Sequence, residues 1–129
     1  MNTNQQTTKH VVLGHQLIDD THEEFVNLVK KLITANKATF SEVFTVFLEH
    51  TETHFAQEEK LMQQSKDPSS AEHQAEHRRV LGELKQFEKR ISAGRTSLEK
   101  AYIRDKLPEW FALHTSTMDS ALVAHLNKT

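Results

Sequence analysis

The sequence sets histidine and carboxylate side chains at helical spacing. The stretch "EHQAEH" (72–77) holds His73 and His77 four residues apart, which would put both imidazoles on one face of a helix, one turn apart. His54 and Glu58 repeat that spacing upstream. Imidazole and carboxylate groups are ligands for iron, manganese and zinc. The pattern therefore indicates a metal site, although a single pair of this kind in a histidine-rich chain is more often a solvent-exposed face.

Histidine is frequent throughout the chain, with nine among 129 residues. His22 stands near Phe25, and His114 follows Trp110 and Phe111, so both histidines would face an apolar interior. A buried histidine costs free energy unless it is hydrogen-bonded or bound to a metal. Taken singly, each is more readily an ordinary core histidine, but candidates on four separate segments favour one shared site. The predicted ligands are His22, His54, Glu58, His73, His77, His114 and Asp119.

Patterns typical of helix starts repeat along the chain. Thr39, Ser69 and Thr96 are each followed by Glu three residues later, which is the pattern of a capping box, where a hydroxyl and a carboxylate satisfy backbone N–H groups. Apolar residues then recur at three- and four-residue steps, as one buried helix face requires. The predicted helices span about residues 18–36, 40–64, 70–93 and 97–127. Short connections favour antiparallel neighbours, so the predicted fold is all-α, an up-down-up-down antiparallel four-helix bundle.

Two residues mark interruptions of these helices. Gly94 is predicted to end the third helix, because glycine tolerates the left-handed conformation that follows a helix end. Pro108 lacks a backbone N–H and clashes with the preceding turn, so a kink or break is predicted near residues 104–108. Residues 1–13 show no apolar periodicity and are predicted to form an extended N-terminal arm, followed by one domain over residues 14–129.

The composition limits the classes of function. With 36% hydrophobic and 26% charged residues, 129 residues suit one soluble globular domain. No run of apolar residues approaches the roughly 18 that a membrane span needs. The N-terminus lacks the apolar core of a signal peptide, so a cytoplasmic location is expected. A net charge of −2 with interspersed signs gives no basic surface for nucleic acid, and the absence of cysteine excludes disulfides and thiolate sites.

The number of candidate ligands bears on which metal they would hold. Seven ligands exceed the four of a structural zinc site. Two six-coordinate ions would accommodate five imidazoles and two bridging carboxylates, and these ligand types suit iron, with manganese or zinc as substitutes. Ferritin-like di-iron proteins use several Glu ligands and two Glu-x-x-His motifs. No Glu-x-x-His occurs in this chain, so the histidine-rich set favours a different di-iron class.

Four stretches resemble the motifs of the hemerythrin family, in particular the single-domain bacterial hemerythrins. They are "GHQLIDDTH" (14–22), "HFAQEEKLM" (54–62), "HQAEH" (73–77) and "WFALHTSTMD" (110–119). The resemblance extends over about residues 14–127. It implies a non-haem centre of two iron ions with a bridging oxo or hydroxo group, and reversible binding of dioxygen.

The resemblance also implies a role for each ligand. One iron would be held by three histidines and the other by two, and the two-histidine iron would keep an open position for oxygen. Both carboxylates would bridge the ions. In that order, the three groups are His73, His77 and His114; His22 and His54; and Glu58 and Asp119.

An oxygen pocket is implied by the same resemblance. Its predicted lining is Phe25, Phe55, Trp110, Phe111 and Thr115. Family members often carry Leu and Ile at the positions of Phe111 and Thr115, so a hydroxyl at residue 115 is a departure. That hydroxyl would either hold a water or proton near the oxygen position, or bond back to the carbonyl of Phe111. His50 lies outside the ligand motifs and is expected beside the site or at the surface.

Three functions are compatible with such a site. The favoured one is non-enzymatic oxygen binding for storage, delivery or scavenging, by a monomer or weak oligomer that serves an unknown oxygen-consuming partner. The second is a di-iron peroxidase, oxidase or nitric-oxide-handling enzyme, for which no acid or Tyr is obviously placed. The third is an oxygen or redox sensor, which the absence of an attached signalling domain disfavours.

Overall fold

The computed structural model describes residues 12–128, and the described chain is almost entirely helical. The first three helices are α1 (Gln16–Thr34), α2 (Phe40–Ser65) and α3 (Ser70–Ser92). The fourth helix is a succession of five segments: α4 (Ser97–Ala101), π1 (Tyr102–Lys106), α5 (Leu107–His114), π2 (Thr115–Asp119) and α6 (Ser120–Lys128). The predicted all-α four-helix bundle is confirmed, with every predicted helix end within two residues of the observed one.

The predicted capping boxes are wrong in their chemistry. Thr39, Ser69 and Thr96 do stand at the N-cap positions, but none of their side chains makes the capping hydrogen bond. The backbone of Thr39 is helical and that of Ser69 is close to it, rather than in the extended conformation that lets a cap side chain reach back. Side chains upstream act instead: Asn36 Oδ1 accepts from the N–H of Thr39 at 3.0 Å, and Asp67 Oδ1 accepts from that of Ser69 at 2.9 Å.

The first helix begins earlier than predicted because two side chains cap it. The N–H of Ile18 donates to His15 Nδ1 at 3.4 Å. The carboxylate of Asp19 accepts from the backbone N–H groups of Leu13, Gly14 and His15 at 2.8, 3.0 and 3.2 Å. Most of the predicted arm, residues 1–11, lies outside the described residues, while Leu13 packs against the end of the bundle.

Gly94 ends α3 as predicted. Its φ of +87° is left-handed, its N–H bonds to the carbonyl of Ile91 at 2.9 Å, and the N–H of Arg95 bonds to that of Arg90 at 2.9 Å. These two bonds are those of a Schellman motif. They satisfy carbonyls that the helix end would otherwise leave without partners.

Pro108 does not break the fourth helix. It lies in the first turn of α5, and the chain upstream forms the π-helical turn π1, in which the N–H of Leu107 bonds to the carbonyl of Tyr102 five residues earlier. The predicted interruption is therefore in the right place but takes the form of a wider helical turn. Because a π turn adds one residue, it moves the carbonyls away from the proline ring while the helix continues.

A second π turn, which the sequence analysis did not predict, sets the register of two ligands. His114 and Asp119 are five residues apart, and in an α-helix five residues leave two side chains about 140° apart. The segment π2 lies between them, and the N–H of Ser120 bonds to the carbonyl of Thr115 five residues earlier. A five-residue turn brings both side chains to one face, where His114 Nε2 lies 3.2 Å from Asp119 Oδ1.

Two apolar clusters enclose the region where the predicted ligands lie. The larger contains six buried phenylalanines and fills the bundle toward one end. The smaller consists of Ile18, Met62, Leu122 and Val123 at the other end. Ile18 precedes His22 by one turn and Met62 follows Glu58 by one turn, so the polar layer has apolar layers above and below it. No helix within residues 12–128 is long and apolar enough to cross a membrane.

Gly82 inside α3 and Gly94 just beyond its end should respond oppositely to alanine. Gly94→Ala should destabilise the metal-free protein by about 1 kcal/mol, because its left-handed φ disfavours a Cβ. Gly82→Ala should stabilise it by about 0.5–1 kcal/mol, because alanine is the better helix former inside a helix. Neither added Cβ would meet an atom within 4 Å. Urea denaturation measures both, and equal effects of the two substitutions would contradict the role given to Gly94.

Candidate metal centre

All seven predicted ligands are buried and converge on one layer of the bundle. No ligand side chain is more than 4% exposed. Helix α1 supplies His22, α2 supplies His54 and Glu58, and α3 supplies His73 and His77, so each pair spaced by four residues shares a helix face. The fourth helix adds His114 and Asp119 from the two ends of π2.

The seven ligands form two groups that share Glu58. The larger group consists of Glu58, His73, His77, His114 and Asp119. In it, Asp119 Oδ1 lies 3.0 Å from His73 Nε2 and 3.2 Å from His114 Nε2. Glu58 Oε1 lies 3.2 Å from His77 Nε2. Three imidazole nitrogens and two carboxylate oxygens thus face one small volume.

The smaller group contains two histidines. It consists of His22, His54 and Glu58. Glu58 Oε2 lies 2.8 Å from His54 Nε2 and 3.5 Å from His22 Nε2. Asp119 also reaches this group, because its Oδ2 lies 2.9 Å from His22 Nε2.

Each carboxylate therefore divides its two oxygens between the groups. Glu58 directs Oε2 toward the two-histidine group and Oε1 toward the three-histidine group. Asp119 directs Oδ2 and Oδ1 in the same way. A carboxylate with one oxygen at each of two positions is arranged as a bridge between two ions.

The ligand atoms fit metal ions better than they fit one another. Among the described residues, His77 Nε2, Glu58 Oε1 and both oxygens of Asp119 have no hydrogen-bond partner, although each is buried and close to other polar atoms. His73 Nε2 and His114 Nε2 lie 3.2 Å apart. Neighbouring ligands of a six-coordinate ion at about 2.1–2.2 Å stand about 3 Å apart. Lone pairs aimed at a shared point explain both the short distances and the poor alignment.

Charge distributes unevenly over the cluster when it holds no metal. Burial alone would lower the pKa values of His22 and His73, but close contacts and charge interactions with Asp119 and Glu58 raise both to about 9. Burial would likewise raise the pKa of Glu58, yet the charge of His54 and hydrogen bonds from neighbouring histidines hold it well below its usual range. Burial and repulsion by Glu58 would raise the pKa of Asp119, but its close contacts with His114, His22 and His73 lower it. At neutral pH, His22 and His73 are therefore cationic beside the carboxylates of Glu58 and Asp119.

Glu59, the neighbour of Glu58, is a further residue of the site that was not predicted from the sequence. The side chain of Glu59 is 30% exposed, and its Oε2 accepts from His77 Nδ1 at 2.9 Å. Carboxylates in this position orient metal-bound histidines. The signal in the sequence was weak, because a glutamate next to a ligand is equally typical of a solvated helix face.

The predicted pocket residues divide between the two groups. Phe111 lies against His22, with ring centroids 5.2 Å apart, and stacks on Phe25 at 4.2 Å. Phe55 stacks on His77 at 3.8 Å. Trp110 stacks on His114 at 4.6 Å, and its indole N–H donates to Glu76 at 2.7 Å. Phe25 and Phe111 thus face the two-histidine group, and Trp110 covers the three-histidine group.

Thr115 is buried, at 1% exposure. Its hydroxyl does not bond back to Phe111, and no hydrogen-bond partner for it occurs among residues 12–128. An unpaired buried hydroxyl costs free energy, so the side chain is available to a ligand or a water.

Histidines outside the ligand set have other partners. His50 Nε2 donates to the carbonyl of Thr21 at 3.3 Å, and its ring lies 5.9 Å from that of His54, beside the cluster but outside it. His125 Nε2 donates to the carbonyl of Ser65 at 2.7 Å, and His15 caps α1. His10 lies outside the described residues.

Comparison with known proteins agrees with this geometry. The family model of the hemerythrin HHE cation binding domain matches residues 13–126. The chain belongs to the hemerythrin family. Membership implies iron as the metal, and the described residues contain buried histidine and carboxylate groups that could hold it.

Three relatives carry the name bacteriohemerythrin. The protein of Ralstonia nicotianae is 31% identical over 121 residues, which cover 94% of this chain and 88% of the relative. That of Stenotrophomonas maltophilia is 27% identical, covering 90% and 80% of the two chains. That of Methylococcus capsulatus is 26% identical, covering 78% and 79%. No solved structure matches the chain.

Iron content should depend on the cluster and not on its neighbour. Protein produced with iron should hold about two Fe per chain, and His73→Ala or His77→Ala should lower this sharply because each removes a converging nitrogen. His50→Ala is the matched control, since its imidazole lies on α2 beside His54 but bonds to a carbonyl. Elemental analysis measures the content, and an equal loss in all three variants would contradict the assignment.

The metal-free and metal-loaded proteins should respond oppositely to pH. The raised pKa values of His22 and His73 stabilise the metal-free fold fully below about pH 6.5, and this stabilisation is lost as pH rises through about 9. The metal-free Tm should therefore fall between pH 6.5 and 9. The loaded protein needs neutral imidazoles, so it should release metal on acidification. Bound metal should also raise Tm at neutral pH, because it stabilises only the folded protein. Identical melting curves of the metal-free and metal-loaded proteins at neutral pH, or a metal-free Tm independent of pH between 6.5 and 9, would count against this account.

Proposed function

We propose that this protein is a non-haem di-iron protein that binds dioxygen reversibly, for storage, delivery or scavenging, without catalytic turnover. The observation that carries the proposal is the division of both carboxylates between a three-histidine and a two-histidine group. This arrangement suits two ions of unequal ligation, with an oxo or hydroxo bridge between them. The names of the three bacteriohemerythrin relatives support it.

The ligand count supports an open position at the two-histidine group. With six positions per ion, three histidines, two carboxylate oxygens and one bridging group would complete the first ion. Two histidines, two carboxylate oxygens and the same bridging group would give five ligands to the second. The sixth position would be the one that takes oxygen.

The side chains beside this position would exclude water from it. Phe25 and Phe111 are 2% and 5% exposed. Phe111 packs against His22, and Phe25 stacks on Phe111 and lies near His54. When bound, two iron ions supply the two electrons that oxygen binding draws on and returns. Buried aromatic side chains exclude water and withhold protons, which favours release of the gas unchanged over its reduction.

Repeated oxygen cycling tests the function directly. Iron-loaded protein is reduced anaerobically, exposed to air and returned to oxygen-free gas while its visible spectrum is followed. Full spectral recovery over many cycles is expected for a carrier. A single oxidation that oxygen removal does not reverse would overturn the proposal.

The unpaired hydroxyl of Thr115 favours the enzymatic alternative, a peroxidase or oxidase, because it could hold a water or pass a proton. If it does, Thr115→Val should slow autoxidation several-fold, about 1 kcal/mol in the barrier, with iron content unchanged.

Thr117→Val is the control for this substitution. Its exposed hydroxyl, on the same π turn, donates to the carbonyl of Leu113. Autoxidation rates followed at the visible bands distinguish the variants. If Thr115→Val keeps both irons and oxidises at the wild-type rate, the hydroxyl has no part in the chemistry.

A further inference from the structure

The imidazole of His77 is fixed on two sides. Its Nδ1 lies 2.9 Å from Glu59 Oε2. An ionised carboxylate only accepts hydrogen bonds, so Nδ1 carries the proton and Nε2 is left with its lone pair. That Nε2 faces Glu58 Oε1 at 3.2 Å, inside the cluster.

The face of the same ring is also held. Phe55 stacks on His77 with a centroid separation of 3.8 Å and an angle of 1° between the ring planes. The stack restricts tilting and the carboxylate restricts rotation. His77 is therefore oriented toward the three-histidine group before any metal arrives.

Other histidines of the cluster lack this support. The Nδ1 atoms of His54 and His114 are buried and have no hydrogen-bond partner within residues 12–128. His54 belongs to the two-histidine group, so within that group at least one ligand has no carboxylate behind it. The outer support of the cluster is thus uneven.

We propose that Glu59 is a positioning residue that makes the three-histidine group the tighter of the two metal positions and favours the higher oxidation state of iron there. The inference rests on the proposed di-iron site. A carboxylate that accepts a hydrogen bond from Nδ1–H increases the electron density on the imidazole ring, so Nε2 becomes a stronger donor to the metal. A stronger donor binds any divalent ion more tightly and stabilises a trivalent ion still more.

A second glutamate on α2 provides a control that distinguishes an effect on the metal site from an effect on stability. Another glutamate of α2, Glu52, pairs across the same α2–α3 interface with Lys85 at 3.4 Å, and both of those side chains are largely exposed. Exposed pairs contribute little. Glu52 is therefore a matched control: the same residue type on the same helix, paired to the same neighbouring helix, but away from the cluster.

Cobalt binding to the metal-free protein tests the proposal. Co²⁺ is titrated while its visible absorption is followed, and two binding steps are expected. Glu59→Ala should weaken the tighter step by about 10–100-fold and leave the weaker step unchanged. Glu59→Gln, whose amide oxygen still accepts a hydrogen bond, should recover part of the loss, and Glu52→Ala should behave as wild type.

Two further measurements separate folding from function. Metal-free Glu59→Ala should melt within a few degrees of metal-free wild type, and in iron-loaded protein its first reduction should move to a higher potential. An unchanged tight step in a folded Glu59→Ala overturns the inference, and so does equal weakening of both steps. Failure of oxygen cycling in wild type, with the tight step still lost in Glu59→Ala, would overturn the function and leave the role of Glu59 standing.

Discussion

Burial of five imidazoles and two carboxylates in one apolar bundle is the constraint on which the rest of the structure depends. Each of these groups loses its hydration on folding, a loss that must be offset by partners inside the protein. Hydrogen bonding between the seven is incomplete, since atoms such as His77 Nε2 and Asp119 Oδ1 meet no aligned partner among the described residues. Ligation of metal would satisfy them together. The fold of the metal-free protein therefore holds a polar layer whose own bonds do not fully stabilise it.

The helices are shaped around that layer. The four-residue spacing of His73 and His77 needs only a regular α-helix, and α3 is regular through this region. The five-residue spacing of His114 and Asp119 does not fit such a helix, and π2 lies between them. Above and below, the clusters around Phe111 and Met62 seal the layer from solvent. An irregular helical turn is thus retained where two ligands require it.

The two groups of the site differ in their ligands and in the side chains around them. Three histidines, the Glu59 carboxylate and two stacked aromatic rings surround one group. The other contains two histidines and lies against the phenylalanines Phe25 and Phe111. Under the proposed function, one position would hold an ion firmly and the other would exchange a small ligand. The chemistry of a gas carrier and that of an oxidase diverge at the second position, through the supply of protons.

The sequence by itself determined the four helices, their ends to within two residues, and the seven side chains that converge in the layer. It could do so because apolar periodicity and i,i+4 spacing are local properties that a regular helix preserves. The role of Gly94 is also a local property, since a helix end of this kind needs a residue with left-handed backbone angles whatever surrounds it. The hydroxyls of Thr39 and Ser69 were misjudged because a cap depends on backbone angles that sequence spacing does not fix.

Only the tertiary structure decided the rest. Whether Glu58 bridges, whether Glu59 supports His77 and whether Thr115 finds a partner are relations between different helices, set by how far each rotates about its axis. The π turn before Asp119 belongs here too, because its extra residue is tolerated locally only where packing and shared ligands hold both of its ends. The residue type indicates that a side chain can bind a metal, but the direction in which that side chain points depends on the neighbours that it packs against.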